Sequence, residues 1–364
     1  MFARLRSAAS IQTGVRRVLD VPVKLAIKSP SREVNKKPGV YYALTPDGAE
    51  LPIVDVTHPD FALSITPAEQ EERLRAFLKE TRKLEQLPKL IRIPLLRLFL
   101  RGSVLARGIR KSEGGFLSGL DTYLLKIGPE MLGTYAKPVD RKIAGSLPSL
   151  GVRLRLQDVA QMLAGCLSEA LSNDPKRPVH LLNIGGGPAI DSLNALMIIR
   201  KNSPSLLVER KIAIDVLDVN DAGPKFGEAA LQAVSQNGGP LSGLWCSFRY
   251  IRYDWAKADD LQPLLRELQS SNALAVCSSE GGLFEYGSDD EILSNLKTLR
   301  DSKSVYAVVG SVTRADEPTR LLHQTGGAAV RPRGLPAFTA LAQKAGWNLV
   351  RAVERPFSDQ FTLE

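Results

Sequence analysis

The sequence predicts an α/β protein in which a doubly wound, mostly parallel sheet over residues 151–364 follows a mainly helical region over residues 41–150. Three observations support this prediction. Up to about residue 171, apolar residues recur at helical spacing. Beyond residue 178, short strand-length runs alternate with amphipathic stretches. Most of these runs are apolar at nearly every position, which is typical of parallel strands that are covered on both faces.

The composition is that of a globular protein with a large core, since 44% of the 364 residues are hydrophobic and 24% are charged. The three cysteines are far apart and form no pair, so we expect neither disulfides nor a metal site, and a reducing, cytoplasmic location. The longest apolar stretch, residues 90–100, is interrupted by two arginines and a proline. Such a stretch is too short and too charged to span a bilayer, so we do not expect an integral membrane protein.

The net charge of +9 is concentrated at the N-terminus. Residues 1–40 contain nine Lys or Arg and two Asp or Glu, a net charge of 9 − 2 = +7, which leaves +2 for the rest. We therefore expect a basic, flexible tail on a nearly neutral body that binds no specific nucleic acid. The tail is a solvated arm, a contact for phosphates or acidic lipids, or an Arg-rich organelle-targeting segment. A basic amphipathic stretch, residues 89–101, fits an anionic membrane surface or a surface helix.

The first predicted helix begins at a capping box, with Thr66 as the N-cap, Pro67 at the first helical position and Glu69 closing the box. The helical region that follows is expected to cover the carboxyl edge of the sheet and to supply substrate specificity. Within it, Tyr123 and Lys126 either present polar groups to a pocket or belong to a helix that only packs.

The strand predictions rest on five runs, HLLNI, KIAIDVLDV, FRYIRYD, ALAVCSS and VYAVVGSV. The sequence then predicts a helix ending at Gly346, followed by two runs, WNLVRAVERPF and DQFTLE, with a short turn between them. This ending resembles the class I S-adenosylmethionine-dependent methyltransferase fold, over about residues 150–364. The resemblance implies a Rossmann-like, seven-stranded doubly wound sheet whose sixth and seventh strands close the sheet in that order, with the seventh strand antiparallel.

The turn after the first run, in LLNIGGGPA, limits the ligands that the sheet can bind. A phosphate-binding P-loop is excluded, because Pro188 and Ala189 stand where Lys and then Ser or Thr are needed. A dinucleotide site is disfavoured but stays open, because Ile190 replaces the last glycine of its fingerprint and Pro188 lacks an N–H group. A tight turn without any ligand is the remaining alternative.

The same turn matches the methyltransferase pattern of a strand, an acidic residue or its substitute, and small residues at alternate positions. Asn183, Gly185, Gly187 and Ala189 occupy these positions, with Gly186 between the two outer glycines. The resemblance implies that S-adenosyl-L-methionine lies over this bare backbone, where a side chain would collide with its methionine and ribose. S-adenosyl-L-methionine is therefore the expected cofactor.

The resemblance also assigns cofactor contacts at the ends of the next strands and on the helix before the first one. It implies that Asp218 accepts both ribose hydroxyls and that Asp254 meets the adenine amino group. The other residues expected at the cofactor are Val219, Trp255 over the adenine ring, Ser278, Ser279, Asp191 after the glycines, and Arg153 in the segment RLRLQD, whose guanidinium would reach the cofactor carboxylate.

The exit of the fourth run, SSEGGLFEYGS, is similar to the Glu-Gly and Tyr segment of the leucine carboxyl methyltransferase family and its polyketide-modifying relatives. This similarity rests on short motifs and implies methylation of a carboxylate or hydroxyl oxygen of a small molecule, anionic ones included. A carboxylate acceptor needs only orienting groups, whereas a hydroxyl acceptor usually needs a general base. The expected catalytic residues are Glu280, Tyr286 and His323, the last as a base in a long loop that covers the site.

The other charged residues are less specific. In the same loop, Arg314, Arg331 and Arg333 either bind an anionic substrate or are solvated, while His180 is expected to be structural and His58 to lie in a loop. Two other functions stay open, a nicotinamide-dependent oxidoreductase and an inactive methyltransferase-like scaffold that binds RNA or membrane through its tail. The sequence is also compatible with a homodimer.

Overall fold

The computed structural model describes residues 36–364 except 89, 92–93, 95–99, 112–114, 134–135, 173, 175–176 and 326–328. Most of the predicted basic tail and much of the basic stretch at 89–101 therefore lie outside the described residues. None of the helices in the described part of the chain is long and apolar enough to cross a membrane.

The N-terminal region is a small hairpin followed by helices. Strands β1 (Tyr42–Leu44) and β2 (Glu50–Pro52) pair antiparallel. The helices are α1 (Pro67–Glu85), α2 (Val104–Lys111), α3 (Gly119–Ile127), α4 (Pro138–Ala144) and α5 (Leu147–Ser172). The predicted capping box is confirmed, because Thr66 and Glu69 bond reciprocally at the start of α1. Helix α5 crosses the predicted boundary at residue 150, so the helical region and the sheet region share a helix.

The rest of the chain alternates strands and helices. In chain order these are β3 (Val179–Ile184), α6 (Ile190–Asn202), β4 (Lys211–Asp218), α7 (Ala222–Val234), β5 (Trp245–Arg252), α8 (Gln262–Ser270), β6 (Leu274–Ser279), α9 (Leu283–Tyr286), α10 (Asp289–Asp301), β7 (Val305–Thr313), α11 (Glu317–Thr325), α12 (Leu335–Lys344), β8 (Leu349–Arg355) and β9 (Ser358–Leu363). Short 3₁₀ turns lie at 204–206 and 258–261.

Strands β3 to β9 form one seven-stranded sheet in the order β5-β4-β3-β6-β7-β9-β8. Neighbouring strands are parallel except for β9, which runs antiparallel to both β7 and β8. The predicted fold class is thereby confirmed, including the antiparallel last strand, which lies inside the sheet and not at its edge. The strand order reverses between β3 and β6, and open sheets of this kind bind ligands outside the carboxyl ends of the strands at such a switch point.

Each face of the sheet has its own hydrophobic cluster. One cluster joins the strands to α5, α6 and α7 and includes Leu51, Tyr123 and Leu132 from the N-terminal region. The other packs α8, α10 and α12 against the opposite face. Because the first cluster runs through both parts of the chain, α3 packs directly on the sheet region.

One segment that the sequence analysis predicted as a loop is a helix. The segment between β7 and α12 contains α11, so His323 lies on a helix and the loop prediction is wrong there. Asp316 begins this helix, because its Oδ1 atom accepts the Thr319 backbone N–H at 3.1 Å and the Thr319 hydroxyl at 2.6 Å. The sequence Asp316-Glu317-Pro318 carried this N-terminal signal.

Candidate active site

The glycine turn lies at the switch point, between the carboxyl end of β3 and the start of α6. Gly185 and Gly187 have φ angles of +64° and +60°, a region that favours glycine. The Gly185 N–H donates to the Leu217 carbonyl at 2.8 Å, and the Gly187 N–H donates to Asp218 Oδ2 at 3.2 Å. The turn is therefore tied to the end of β4 by two hydrogen bonds.

Three parts of the chain cover the turn. A Cβ atom on Gly185 would lie 2.7 Å from the Trp255 ring, and one on Gly187 would lie 2.6 Å from Cα of Gly119, at the start of α3. From the start of α7, a Cβ on Gly223 would lie 2.8 Å from Gly187 Cα. The glycines thus allow close contact between backbones. A ligand over the turn requires Trp255 and the start of α3 to move away.

A buried polar cluster lies beneath the turn. The Asn183 amide donates to Asp191 Oδ1 at 2.8 Å and to Ser278 Oγ at 3.0 Å. Within the described structure, Asn183 Oδ1, Asp191 Oδ2 and Ser192 Oγ are buried without a hydrogen-bond partner. Burial raises the pKa of Asp191, and the nearby Glu280 carboxylate raises it further. Buried acceptors without donors are uncommon, and a bound ammonium group or ordered water would satisfy them.

Two of the predicted cofactor residues have partners within the protein. Gly186 lies directly against the Asn183 side chain, so any side chain at Gly186 would collide with it. The Ser279 hydroxyl donates to the Ile184 carbonyl at 2.7 Å and accepts the Leu283 N–H at 2.9 Å. Gly186 and Ser279 therefore take part in the contacts between β3, the glycine turn and the segment that follows β6.

Acidic residues follow β4 and β5 at the positions that the resemblance implied. In addition to the turn N–H, the Asp218 carboxylate accepts the Asn220 N–H at 3.0 Å, and burial raises the pKa of Asp218. The Asp254 carboxylate accepts the Ala256 N–H at 3.1 Å. Val219, beside Asp218, is 47% exposed although it is apolar. An acid and an exposed apolar side chain therefore lie together at the end of β4.

A network of four buried charges lies at the end of β6. The Glu280 carboxylate accepts hydrogen bonds from Lys126 Nζ of α3 and, at 2.5 Å, from Arg155 Nε of α5. Arg155 also donates to Glu285 Oε1 at 2.8 Å, and the Ser311 hydroxyl donates to the same oxygen at 2.9 Å. Burial alone would raise the pKa of Glu280, but Lys126 and Arg155 lower it overall. Glu280 is thus an ionised, paired group, which suits it to positioning its neighbours.

An aromatic cluster lies next to this network. Phe116, just before α3, meets the rings of Trp255 and Tyr286 edge-on, with centroid distances of 5.3 and 5.1 Å. Phe116 is itself 50% exposed. Burial and the Glu285 carboxylate raise the pKa of Tyr286 to about 12. At neutral pH the Tyr286 hydroxyl is therefore a hydrogen-bond donor and not a base.

His323 approaches the same network from α11. Its Nε2 atom is buried and has no hydrogen-bond partner among the described residues. Burial lowers the pKa of His323 below 6.5, and the attraction of the Glu285 carboxylate offsets part of this. The imidazole is therefore neutral at physiological pH and has a ring nitrogen available.

The two arginines of the segment RLRLQD differ from the prediction. Arg155, which the sequence analysis did not count as a site residue, makes the ion pairs with Glu280 and Glu285. Arg153 makes no hydrogen bond or ion pair within the described part of the chain. Its guanidinium lies against Gly128, and burial lowers its pKa. A signal for Arg155 was present, since two acids in an otherwise apolar stretch after β6 need a buried cation.

Two of the arginines predicted for an anionic substrate are already paired. Arg314 contacts Asp316 and Asp359, each at 2.7 Å, and Arg333 contacts Asp289 at 2.9 Å. Carboxylates already balance the charge of these two guanidinium groups, so the pairing does not favour the substrate role, which stays a prediction. Arg331 is exposed.

The remaining predicted polar residues are structural. His180 lies within 2.6 Å of Asp215 on the neighbouring strand, and the Tyr123 hydroxyl donates to the Pro52 carbonyl at 2.5 Å. His58 lies in a loop, as expected. Over the described residues, no group of His, Cys, Asp and Glu side chains could hold a metal ion.

Known proteins resemble the chain only remotely. No protein-family model and no curated protein matches it. Among solved structures, it is similar to the pyocyanin biosynthetic protein PhzM, at 13% identity over 51% of this chain and 50% of that one, with a TM-score of 0.33. It is also similar to a protein classed as an O-methyltransferase from Nostoc punctiforme PCC 73102, at 9% identity over 59% of each chain, with a TM-score of 0.36.

A protein classed as a methyltransferase from Thermobifida fusca YX is 12% identical over 67% of this chain and 92% of that one, with a TM-score of 0.40. The chain spans only about half to three fifths of the length of the first two proteins. The fold assignment therefore rests on the strand order of the sheet itself.

Proposed function

We propose that the protein is an S-adenosylmethionine-dependent methyltransferase that methylates a carboxylate or hydroxyl oxygen of a small molecule. The observation that carries the proposal is the glycine turn at the switch point together with two buried acceptors, Asn183 Oδ1 and Asp191 Oδ2, which have no donor among the described residues. The ammonium group of a methionine moiety has three N–H donors and would satisfy both oxygens.

The surrounding residues fit the rest of this cofactor. Each Asp218 oxygen accepts one hydrogen bond and keeps lone pairs for ribose hydroxyls. Val219 offers exposed apolar surface to a purine ring. The Arg153 guanidinium, which has no partner among the described residues, would form an ion pair with the cofactor carboxylate. Binding needs Trp255 to leave Gly185, and the displaced residues would then enclose the ligand and exclude water.

When bound, the cofactor supplies an electrophilic methyl group. The residues of the chain have to hold an acceptor oxygen in line with that group in a dry site. Glu280 and Glu285, paired with Lys126 and Arg155, form a fixed and electrically neutral network at the end of β6. The protonated hydroxyl of Tyr286 would donate a hydrogen bond to the acceptor and orient it. A carboxylate acceptor needs nothing more, whereas a hydroxyl acceptor would pass its proton to Nε2 of neutral His323.

Isothermal titration of the full chain with S-adenosylhomocysteine, and separately with NAD, tests the cofactor. We expect S-adenosylhomocysteine to bind and Asp218→Asn to weaken its binding by about tenfold or more, since hydrogen bonds to a charged group are lost. Asp221→Asn, at an exposed acid of the same loop that pairs with Lys225, is the matched control and should leave affinity unchanged. Binding of NAD alone indicates an oxidoreductase and binding of neither indicates an inactive scaffold, and both results overturn the proposal.

The acceptor is tested with labelled S-adenosylmethionine and a panel of small carboxylic acids, alcohols and amines. His323→Gln should abolish most methylation of hydroxyl acceptors and leave methylation of carboxylates nearly unchanged, because only the hydroxyl must lose a proton. Labelled nitrogen acceptors with no labelled oxygen acceptor would contradict O-methylation while leaving the cofactor assignment intact.

A further inference from the structure

We infer that the C-terminal end of α1 docks the protein on an anionic membrane surface. The residues concerned, here named the α1-end surface, are Lys79, Lys83, Leu84, Leu87, Leu90 and Ile91. This inference goes beyond the proposed function and does not depend on it.

The α1-end surface exposes four large apolar side chains within eight residues. Leu84 is 44% exposed, Leu87 37%, Leu90 89% and Ile91 57%. The other exposed large apolar residues of the described structure are spread between residues 44 and 350. Single exposed leucines are ordinary, but four exposed large apolar residues so close together in the chain indicate an interaction surface.

The course of α1 explains why these side chains are uncovered. The helix packs on the body through Leu74, Phe77 and the buried Thr81, and the Phe77 ring lies 5.2 Å from that of Phe357. Leu84 follows Phe77 by seven residues, so it continues the same apolar stripe one turn beyond Thr81. Leu84 therefore continues the stripe in the last turn of α1 but is 44% exposed, so the body does not cover it in the described structure.

The cations lie on a different side of α1 from the apolar stripe, since Lys79 and Lys83 follow Phe77 by two and six residues, whereas Leu84 follows it by seven. Lys79 and Lys83 lie one helical turn apart and have no ion-pair partner among the residues that the structure describes, whereas Arg75 and Arg82 are paired with carboxylates. The four cations line an open depression of about 420 Å³. Over residues 75–91, five Lys or Arg accompany two Glu, a net charge of 5 − 2 = +3.

An anionic bilayer is the partner that uses both properties of the α1-end surface. Leucine side chains enter the boundary between headgroups and acyl chains, while lysines reach the lipid phosphates. A nucleic-acid backbone would engage the lysines alone and leave the leucines in water. Helix α1 also contacts α11, the helix of His323, through the ion pair of Arg82 with Glu317 at 2.8 Å. Docking would therefore bring a membrane next to an element of the candidate site.

Vesicle flotation of the full chain tests the inference, with vesicles of phosphatidylcholine alone and of phosphatidylcholine mixed with phosphatidylglycerol. We expect binding to the mixed vesicles that falls as salt is raised. Leu84→Glu with Leu90→Glu should reduce the bound-to-free ratio by about tenfold or more, through lost apolar contact and added repulsion. Lys79→Gln with Lys83→Gln should reduce it by about tenfold on mixed vesicles and have little effect on phosphatidylcholine alone.

Matched controls carry the same substitutions elsewhere. The control for the leucine variant is Leu44→Glu with Val350→Glu, at two residues that are 58% and 53% exposed. The control for the lysine variant is Lys297→Gln with Lys344→Gln, which removes two exposed lysines. Both controls should float like the wild type. The inference is overturned if the wild type ignores mixed vesicles, or if the leucine variant floats undiminished. It is also overturned if duplex RNA displaces the wild type and the leucine variant equally, which would indicate a nucleic-acid contact.

Discussion

Gly119→Ala tests the contact between α3 and the glycine turn. The added Cβ would lie 2.5 Å from Gly187 Cα and 3.3 Å from Gly187 N, so backbone atoms have to shift. Overpacking of this kind costs about 1–3 kcal/mol. The higher helix propensity of alanine returns at most about 1 kcal/mol. We expect the variant to be destabilised by about 1–2 kcal/mol.

Gly165→Ala is the matched control. Gly165 lies within α5, and a Cβ there meets no atom within 4 Å. The alanine should therefore stabilise the protein by about 0.5–1 kcal/mol. Urea unfolding of both variants beside the wild type measures the two free energies of unfolding. The packing argument is refuted if Gly119→Ala proves as stable as the wild type, or if the two substitutions shift stability in the same direction.

The same variant also tests whether α3 must leave the turn before a ligand binds. The packing penalty of Gly119→Ala exists only while α3 lies against Gly187. If α3 has to leave the turn before the ligand binds, the substitution lowers the free-energy cost of that movement. S-adenosylhomocysteine should then bind more tightly, by up to about tenfold. Weaker binding in a calorimetric titration would refute the requirement for separation.

Three further predictions concern the charges of the site. Lys126→Met should lower the free energy of unfolding in urea by about 3–5 kcal/mol, because buried Glu280 then lacks one of its cations. The double variant with Glu280→Gln should recover at least about 1 kcal/mol of that loss. The pKa of His323 in the folded protein lies below its usual value of 6.5. The wild type should therefore lose thermal stability as the pH falls below 6.5, and His323→Gln should lose less. Arg153→Met should change the free energy of unfolding by less than about 0.5 kcal/mol and weaken S-adenosylhomocysteine binding about tenfold. Arg155→Met, in contrast, should destabilise the fold.

Each of these has a contrary outcome. An additive double variant would show that Lys126 and Glu280 are not coupled. Parallel melting curves for the wild type and His323→Gln across the acidic range would show that the imidazole is not held neutral by burial. A large loss of stability in Arg153→Met would mean that its guanidinium has a partner in solution.

Local patterns predicted most of the fold. The capping box predicted at Thr66 is confirmed, and a second one forms at Ser288, because an N-cap depends only on residues three apart. The strands are found at the predicted runs, because a short run that is apolar at nearly every position is typical of a strand buried on both faces. The order of the strands does not follow from local pattern and came from the resemblance.

The candidate site was predictable where it follows a strand. The glycine turn and Asp218 lie at the end of a recognisable run, so topology alone brings them to one edge. The buried charge network was not predictable in this way, because Lys126, Arg155 and Glu280 come from three separate elements. The contact of Gly119 with Gly187 likewise joins segments that are far apart in the chain and leaves no periodic trace.

The position of β9 between β7 and β8 has a consequence for biosynthesis. Both neighbours precede their shared partner in the chain, so an incomplete chain that lacks β9 carries β7 with one side unpaired and β8 with no partner strand. Such rows of donors and acceptors readily recruit strands of other chains. A chain truncated before residue 358 should therefore aggregate, and a chaperone that shields β7 and β8 should raise its yield.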